Sequence, residues 1–138
     1  EDRKMQKEKS CGAIVYNKNK EVLIVKHTAG HWDFPKGHVE KDETEIETAK
    51  REVKEETNID VKIYDNCRYE IHYNPKENVE KTVVFFLASN ITDNTIKQDS
   101  EIANIGWFSY NKALDILTYT DAKNLLKRSY KDISKVLK

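Results

Sequence analysis

The chain has 138 residues, enough for one domain with a real core, so one active site is the reasonable expectation. Basic and acidic residues number 24 each and cancel, so no global field draws the protein to nucleic acid or to an acidic membrane surface. With 35% charged residues, 38% hydrophobic residues and a mean hydropathy of -0.81, the chain is strongly hydrophilic, and no apolar run approaches the roughly 20 residues that a membrane-spanning helix needs.

Residues 1–10, EDRKMQKEKS, lack the apolar stretch of a signal peptide, and the first Met is Met5. Residues 1–9 are expected to be a charged, solvated tail, with a single domain over 10–138. Two β-rich runs, 11–16 (CGAIVY) and 21–27 (EVLIVKH), flank the turn-forming stretch Asn17-Lys18-Asn19-Lys20 and read as a hairpin. Residues 28–36 (TAGHWDFPK) form a loop, because Pro35 disfavours helix at Phe34. Residues 43–57 follow a helical pattern in which Ile46, Ala49 and Val53 share one face. Asp42 and Glu43 suit its N-terminal end, and Asn58 stands where a left-handed residue would close it.

Short strands are expected at 61–64 and 67–73, then an exposed loop, the strongest strand at 81–89 (KTVVFFLAS) and a further extended piece at 105–108. Ser109 is the expected cap of a short helix over 110–117, and Thr120 that of a last helix over 121–137 whose apolar stripe packs on the sheet. The pattern predicts an α/β (α+β) fold, a mixed sheet between helices. Cys11 and Cys67 lack CxxC spacing or a nearby His pair, so two buried free thiols in a reducing cytosol are expected, and no zinc.

The most informative segment is 37–59, GHVEKDETEIETAKREVKEETNI. On a helix, Glu52 lies one turn from Glu56 and three residues from Glu55, so the three carboxylates share one side. They repel unless something positive intervenes. Magnesium meets that need, because it takes oxygen ligands and bridges one or two carboxylates to substrate phosphates. A solvated acidic face is the alternative.

The wider spacing favours the metal. Gly37, Glu43 after five intervening residues, Arg51-Glu52-Val53 after seven more, then Glu55-Glu56 and Ile59, resemble the Nudix box GX5EX7REUXEEXGU. Asn58 replaces its final glycine, a mild change where positive φ is needed, since Asn tolerates that conformation. The resemblance implies a Nudix sheet sandwiched between helices and hydrolysis of a nucleoside diphosphate linked to another group. It implies Mg2+, with Mn2+ as a substitute, held by Glu52, Glu56 and the Gly37 carbonyl. Glu55 would be a further ligand or the group that orients water, and Glu43 with Arg51 a supporting ion pair.

Outside the box, HWDFPKGHVE (31–40), Thr48-Ala49, Lys81-Thr82 and the spacing from Glu101 to Trp107 resemble the asymmetrical diadenosine tetraphosphate hydrolases. That resemblance implies cleavage to ATP and AMP, with His31, Lys36 and Lys81 on the polyphosphate and Tyr73 and Tyr119 around an adenine. Glu101 would be an additional metal-site carboxylate or the base that activates water. A cytoplasmic enzyme acting on a small nucleotide is the expectation, with no membrane attachment and no stable nucleic-acid complex. The alternatives are an RNA 5′-pyrophosphohydrolase or nucleoside triphosphate pyrophosphohydrolase, and, in another class, a non-catalytic nucleotide sensor.

Overall fold

In a computed structural model that describes residues 4–137, the elements are β1 (Gln6–Tyr16), β2 (Val22–His27), β3 (Trp32–Asp33), β4 (Lys36–His38), α1 (Glu45–Thr57), β5 (Val61–Tyr73), β6 (Val79–Asn90), β7 (Ile102–Phe108), α2 (Tyr110–Ile116) and α3 (Thr120–Val136). They build a mixed seven-stranded sheet with helices on both faces, the expected α/β arrangement. Its main path runs β3-β2-β1-β6-β5, with β4 paired to β1 and β7 to β2.

Strand alternation explains why both faces are covered. Along β1 and β6, Ile14, Tyr16, Val83, Phe85 and Leu87 turn toward the core shared with Leu125, Leu126 and Ile133 of α3. Their neighbours Ala13, Val15 and Ala88 pack with Val53, and Cys11, Val84 and Phe86 with Ala49, on the α1 side. A strand buried on both faces reads as a continuous apolar run, as both of these do.

Several boundaries differ from the sequence reading. β1 begins at Gln6 and pairs in parallel with β6 from Gln6↔Val79 to Tyr16↔Ser89, so residues 6–9 of the expected tail are in the sheet. Residues 1–3 lie outside the described residues. The two strands expected over 61–73 are one strand with a bulge between Tyr64 and Arg68. The expected loop 28–36 contains β3 and the start of β4. Thr44, rather than the residues before it, caps α1, and Asn58 closes it at φ 68°. Tyr119 occupies the N-cap of α3, so Thr120 is already helical. Cys11 is buried and Cys67 only partly so, and both are free. Among the described residues no helix is long and apolar enough to cross a membrane.

Candidate active site

Arg51 organises the acidic end of α1. Its Nε lies 2.6 Å from Glu43 Oε2 and its Nη2 3.0 Å from Glu43 Oε1, a two-pronged ion pair suited to the planar guanidinium. The remaining donors reach Glu52 Oε2 at 2.7 Å, Glu55 Oε1 at 3.0 Å and the His38 carbonyl at 2.9 Å, tying α1 to β4. Glu43 also accepts from the Glu40 N–H at 2.9 Å and the Thr48 hydroxyl at 2.8 Å. The Arg51 hydrogen bonds foremost hold its carboxyl down at about 2.

Gly37 makes room for Glu52 where β4 meets α1. A Cβ there would collide with the Glu52 carboxylate, which keeps its present place only because this position is glycine. One turn on, Glu56 is only 5% exposed, and its Oε1 has no hydrogen-bond partner. Burial, then the charge of Glu52, pushes its carboxyl up to about 8, against the pull of Lys36. Burial also raises Glu52, although Arg51 works against the shift. A buried, unpartnered carboxylate oxygen is costly, and a cation would satisfy it.

These carboxylates border a trough that is also lined by Asp99, Ser100 and Glu101, from the segment joining β6 to β7. Asp99 was not singled out in the sequence, yet its charge bears on both Glu52 and Glu56. Glu101 is exposed, and its backbone N–H donates to Asp99 Oδ1 at 2.9 Å. Lys81 also borders the trough while only 7% exposed, and burial lowers its pKa. It is a desolvated cation facing open space.

A second cavity of about 290 Å3 adjoins the first, because Lys36 and Tyr73 line both. Its floor is apolar, from Ile71, Val83, Phe85 and Ala122, and its rim carries His31, Tyr73 and Tyr119. Tyr73 and Tyr119 are 42% and 49% exposed, so part of each side chain is open to a ligand. The His31 ring lies 4.2 Å from that of His27 in a stacked arrangement and 5.7 Å from that of Tyr119. Lys36 Nζ is 3.1 Å from Asp33 Oδ2; burial disfavours its charge, but Asp33 outweighs burial and raises its pKa. Sequence reasoning missed Asp33 and His27 as well as Asp99. Only Asp33, three residues before Lys36 in the stretch HWDFPKGHVE, offers a local signal.

Every expected site residue thus lines one of two cavities that share Lys36 and Tyr73, except Glu43, which stands behind Arg51. Residues 6–129 match the NUDIX domain. The chain belongs to this family. It is 30% identical over 128 residues to the asymmetrical bis(5′-nucleosyl)-tetraphosphatase of Caenorhabditis elegans, covering 87% of this chain and 92% of that protein. A crystal structure of a C. elegans Ap4A hydrolase binary complex superposes with a TM-score of 0.81 at 30% identity, over 93% of this chain and 98% of that one. The m7GpppN-mRNA hydrolase of Saccharomyces cerevisiae is also 30% identical over 120 residues, which cover 86% of this chain and only 12% of that protein.

Nudix hydrolases generally use divalent metal ions, and the donor set fits a hard cation: Glu52 and Glu56 supply oxygens, and the unpartnered Oε1 of Glu56 lacks any other ligand. Among the described residues no three acidic, His or Cys side chains are already gathered into an ion cage. Arg51 holds Glu52 and Glu55 to itself instead.

Proposed function

We propose that this Nudix hydrolase cleaves dinucleoside polyphosphates, above all diadenosine tetraphosphate, asymmetrically to ATP and AMP with Mg2+, Mn2+ serving as a substitute. One observation carries the reading: an aromatic-rimmed, apolar-floored cavity adjoins a trough of carboxylates and lysines, and Lys36 and Tyr73 line both. A nucleoside in the first cavity extends its phosphates into the second. The C. elegans relative, whose name specifies asymmetrical cleavage of bis(5′-nucleosyl) tetraphosphates, supports the substrate class.

The chain's residues divide the work. Tyr73 and Tyr119 hold the base by stacking, worth about 1 to 3 kcal/mol per base. Lys36, Lys81 and His31 take the phosphate charge. Gly37, Glu52 and Glu56 would hold the metal, with Glu55 as a further ligand, and Glu43 fixes Arg51 so that Glu52 and Glu55 keep their places. When bound, the divalent ion supplies charge neutralisation on the phosphate oxygens, the main demand of phosphoryl transfer. Glu52, Glu55 and Glu101 are the carboxylates available to orient or deprotonate the attacking water.

Incubation with diadenosine tetraphosphate and Mg2+ in 18O-labelled water, with capped RNA and nucleoside triphosphates in parallel, tests the proposal. ATP and AMP are the expected products, with label in one of them and turnover fastest on the dinucleotide. Two ADP as the only products, or faster turnover of capped RNA, would overturn it.

A further inference from the structure

The segment between β6 and β7, residues 91–101, carries Asp99 to the trough with no regular structure of its own apart from turns. It is held to the C-terminal end of α1. The Ile96 N–H donates to the Thr57 carbonyl at 3.0 Å. Asn58 Nδ2 donates to the Asn94 carbonyl at 3.0 Å, and Asn58 Oδ1 accepts from Gln98 Nε2 at 3.1 Å. Beyond this grip the chain closes a turn on Asp99, whose Oδ1 accepts from Glu101 N–H at 2.9 Å and whose carbonyl accepts from Ile102 N–H at 3.1 Å.

Asn58 is the one box position where this chain departs from the Nudix pattern. Glycine would provide the same left-handed turn but neither side-chain bond. The residue that ends the metal-site helix therefore also grips, on both sides of residue 96, the segment that leads into the trough at Asp99. In that trough Glu56 is buried with Oε1 unpartnered, and Asp99, Glu52 and Glu56 border the same space.

We infer that Asn58 is a positioning residue: by clamping residues 94–98 onto the end of α1 it fixes Asp99 in the space that Glu52 and Glu56 border, so that a divalent cation meets oxygen donors from α1 and from the segment between β6 and β7. This rests on the hydrolase reading above. A hard cation takes several oxygens, and fixing donors from two elements in advance removes the cost of ordering the loop on binding.

Asn58→Gly is the decisive variant, because it preserves the helix end and the Ile96–Thr57 backbone bond and removes only the two Asn58 side-chain bonds. Hydrogen exchange of the metal-free protein should then speed up at residues 94–101 by about tenfold, with the α1 amides unchanged. Mn2+ binding, followed by electron paramagnetic resonance, should weaken roughly tenfold, the scale expected for loss of a supporting contact. Asn58→Asp keeps the acceptor for Gln98 and should lie between Gly and wild type. Asp99→Asn should weaken Mn2+ binding without loosening the loop. Unchanged exchange in Asn58→Gly would overturn the clamp, and unchanged Mn2+ affinity in both Asn58→Gly and Asp99→Asn would overturn the role of Asp99. A wild-type protein that binds no Mn2+ would instead refute the hydrolase reading, since the exchange measurement reads the clamp without metal.

Discussion

At Gly37 the space for a side chain is already filled by the Glu52 carboxylate. Gly37→Ala must therefore push Glu52 aside, while β4, only three residues long, adds little to the stability of the sheet. Turnover and Mn2+ affinity are expected to fall roughly 10- to 100-fold, as for other changes that disturb ligand orientation, with the melting temperature nearly unchanged. Wild-type turnover in this variant would show that Glu52 works from another rotamer. Gly37 and the three glutamates were legible because one helix and its leading turn set their spacing. Asp99 was not, because it reaches them from a segment more than forty residues downstream through bonds made to Asn58. The Asp33–Lys36 pair was hidden for another reason: a lysine in a motif reads as a free cation until the fold shows what its charge faces.

Among the elements, α1 shows how a terminus is chosen. The sequence pattern starts the helix at Glu43, but the Glu43 carboxylate is committed to Arg51, Glu40 and Thr48. Thr44 caps instead, accepting from the Glu47 N–H at 3.1 Å, while Glu47 Oε1 accepts from the Thr44 N–H at 2.8 Å. Thr44→Ala removes the side-chain half of this box and should cost about 1 kcal/mol, lowering the melting temperature by about 4 °C. Calorimetry checks it, and a shift below a degree would mean that the Arg51 network alone holds the helix start. The elements that were misplaced share a cause. Residues 6–9 look like a solvated tail because their partner is Val79–Thr82, some seventy positions away, and a parallel pairing leaves no local turn to announce it. The polar stretch Asp65-Asn66-Cys67 looks like a turn between two strands, and a bulge absorbs it.

For the whole molecule, a net charge of zero conceals strong segregation: a trough holds Glu52, Glu56 and Asp99 against Lys36 and Lys81, while Glu45 is paired on the surface with Lys9 at 2.6 Å and Arg68 at 2.8 Å. The two groups pull stability in opposite directions as pH changes. Glu45 is held near 2, chiefly by Arg68 hydrogen bonds, below its usual 4.5, so its contribution is present above about 4.5 and is lost as pH falls toward 2. Glu56 is pushed by burial from 4.5 to about 8, so the metal-free folded state keeps a proton that the unfolded chain has released. Glu56 therefore contributes a decline in the stability of the metal-free protein as pH rises from about 4.5 to 8, by at most about 1.4 kcal/mol per unit, opposed below about 6.5 by His27, whose pKa burial lowers. A divalent cation competes with that proton and binds the folded carboxylates, so its stabilising effect should grow over the same interval. Melting temperatures from pH 5 to 8.5, in EDTA and in saturating Mg2+, test both limbs. The EDTA curve should fall with pH, the gap to the Mg2+ curve should widen, and Glu56→Gln should flatten the first and largely close the second. A metal-free protein that grows steadily more stable up to pH 8, or a Mg2+ effect independent of pH, would show that Glu56 is ionised without a cation and that its unpartnered oxygen is satisfied by water.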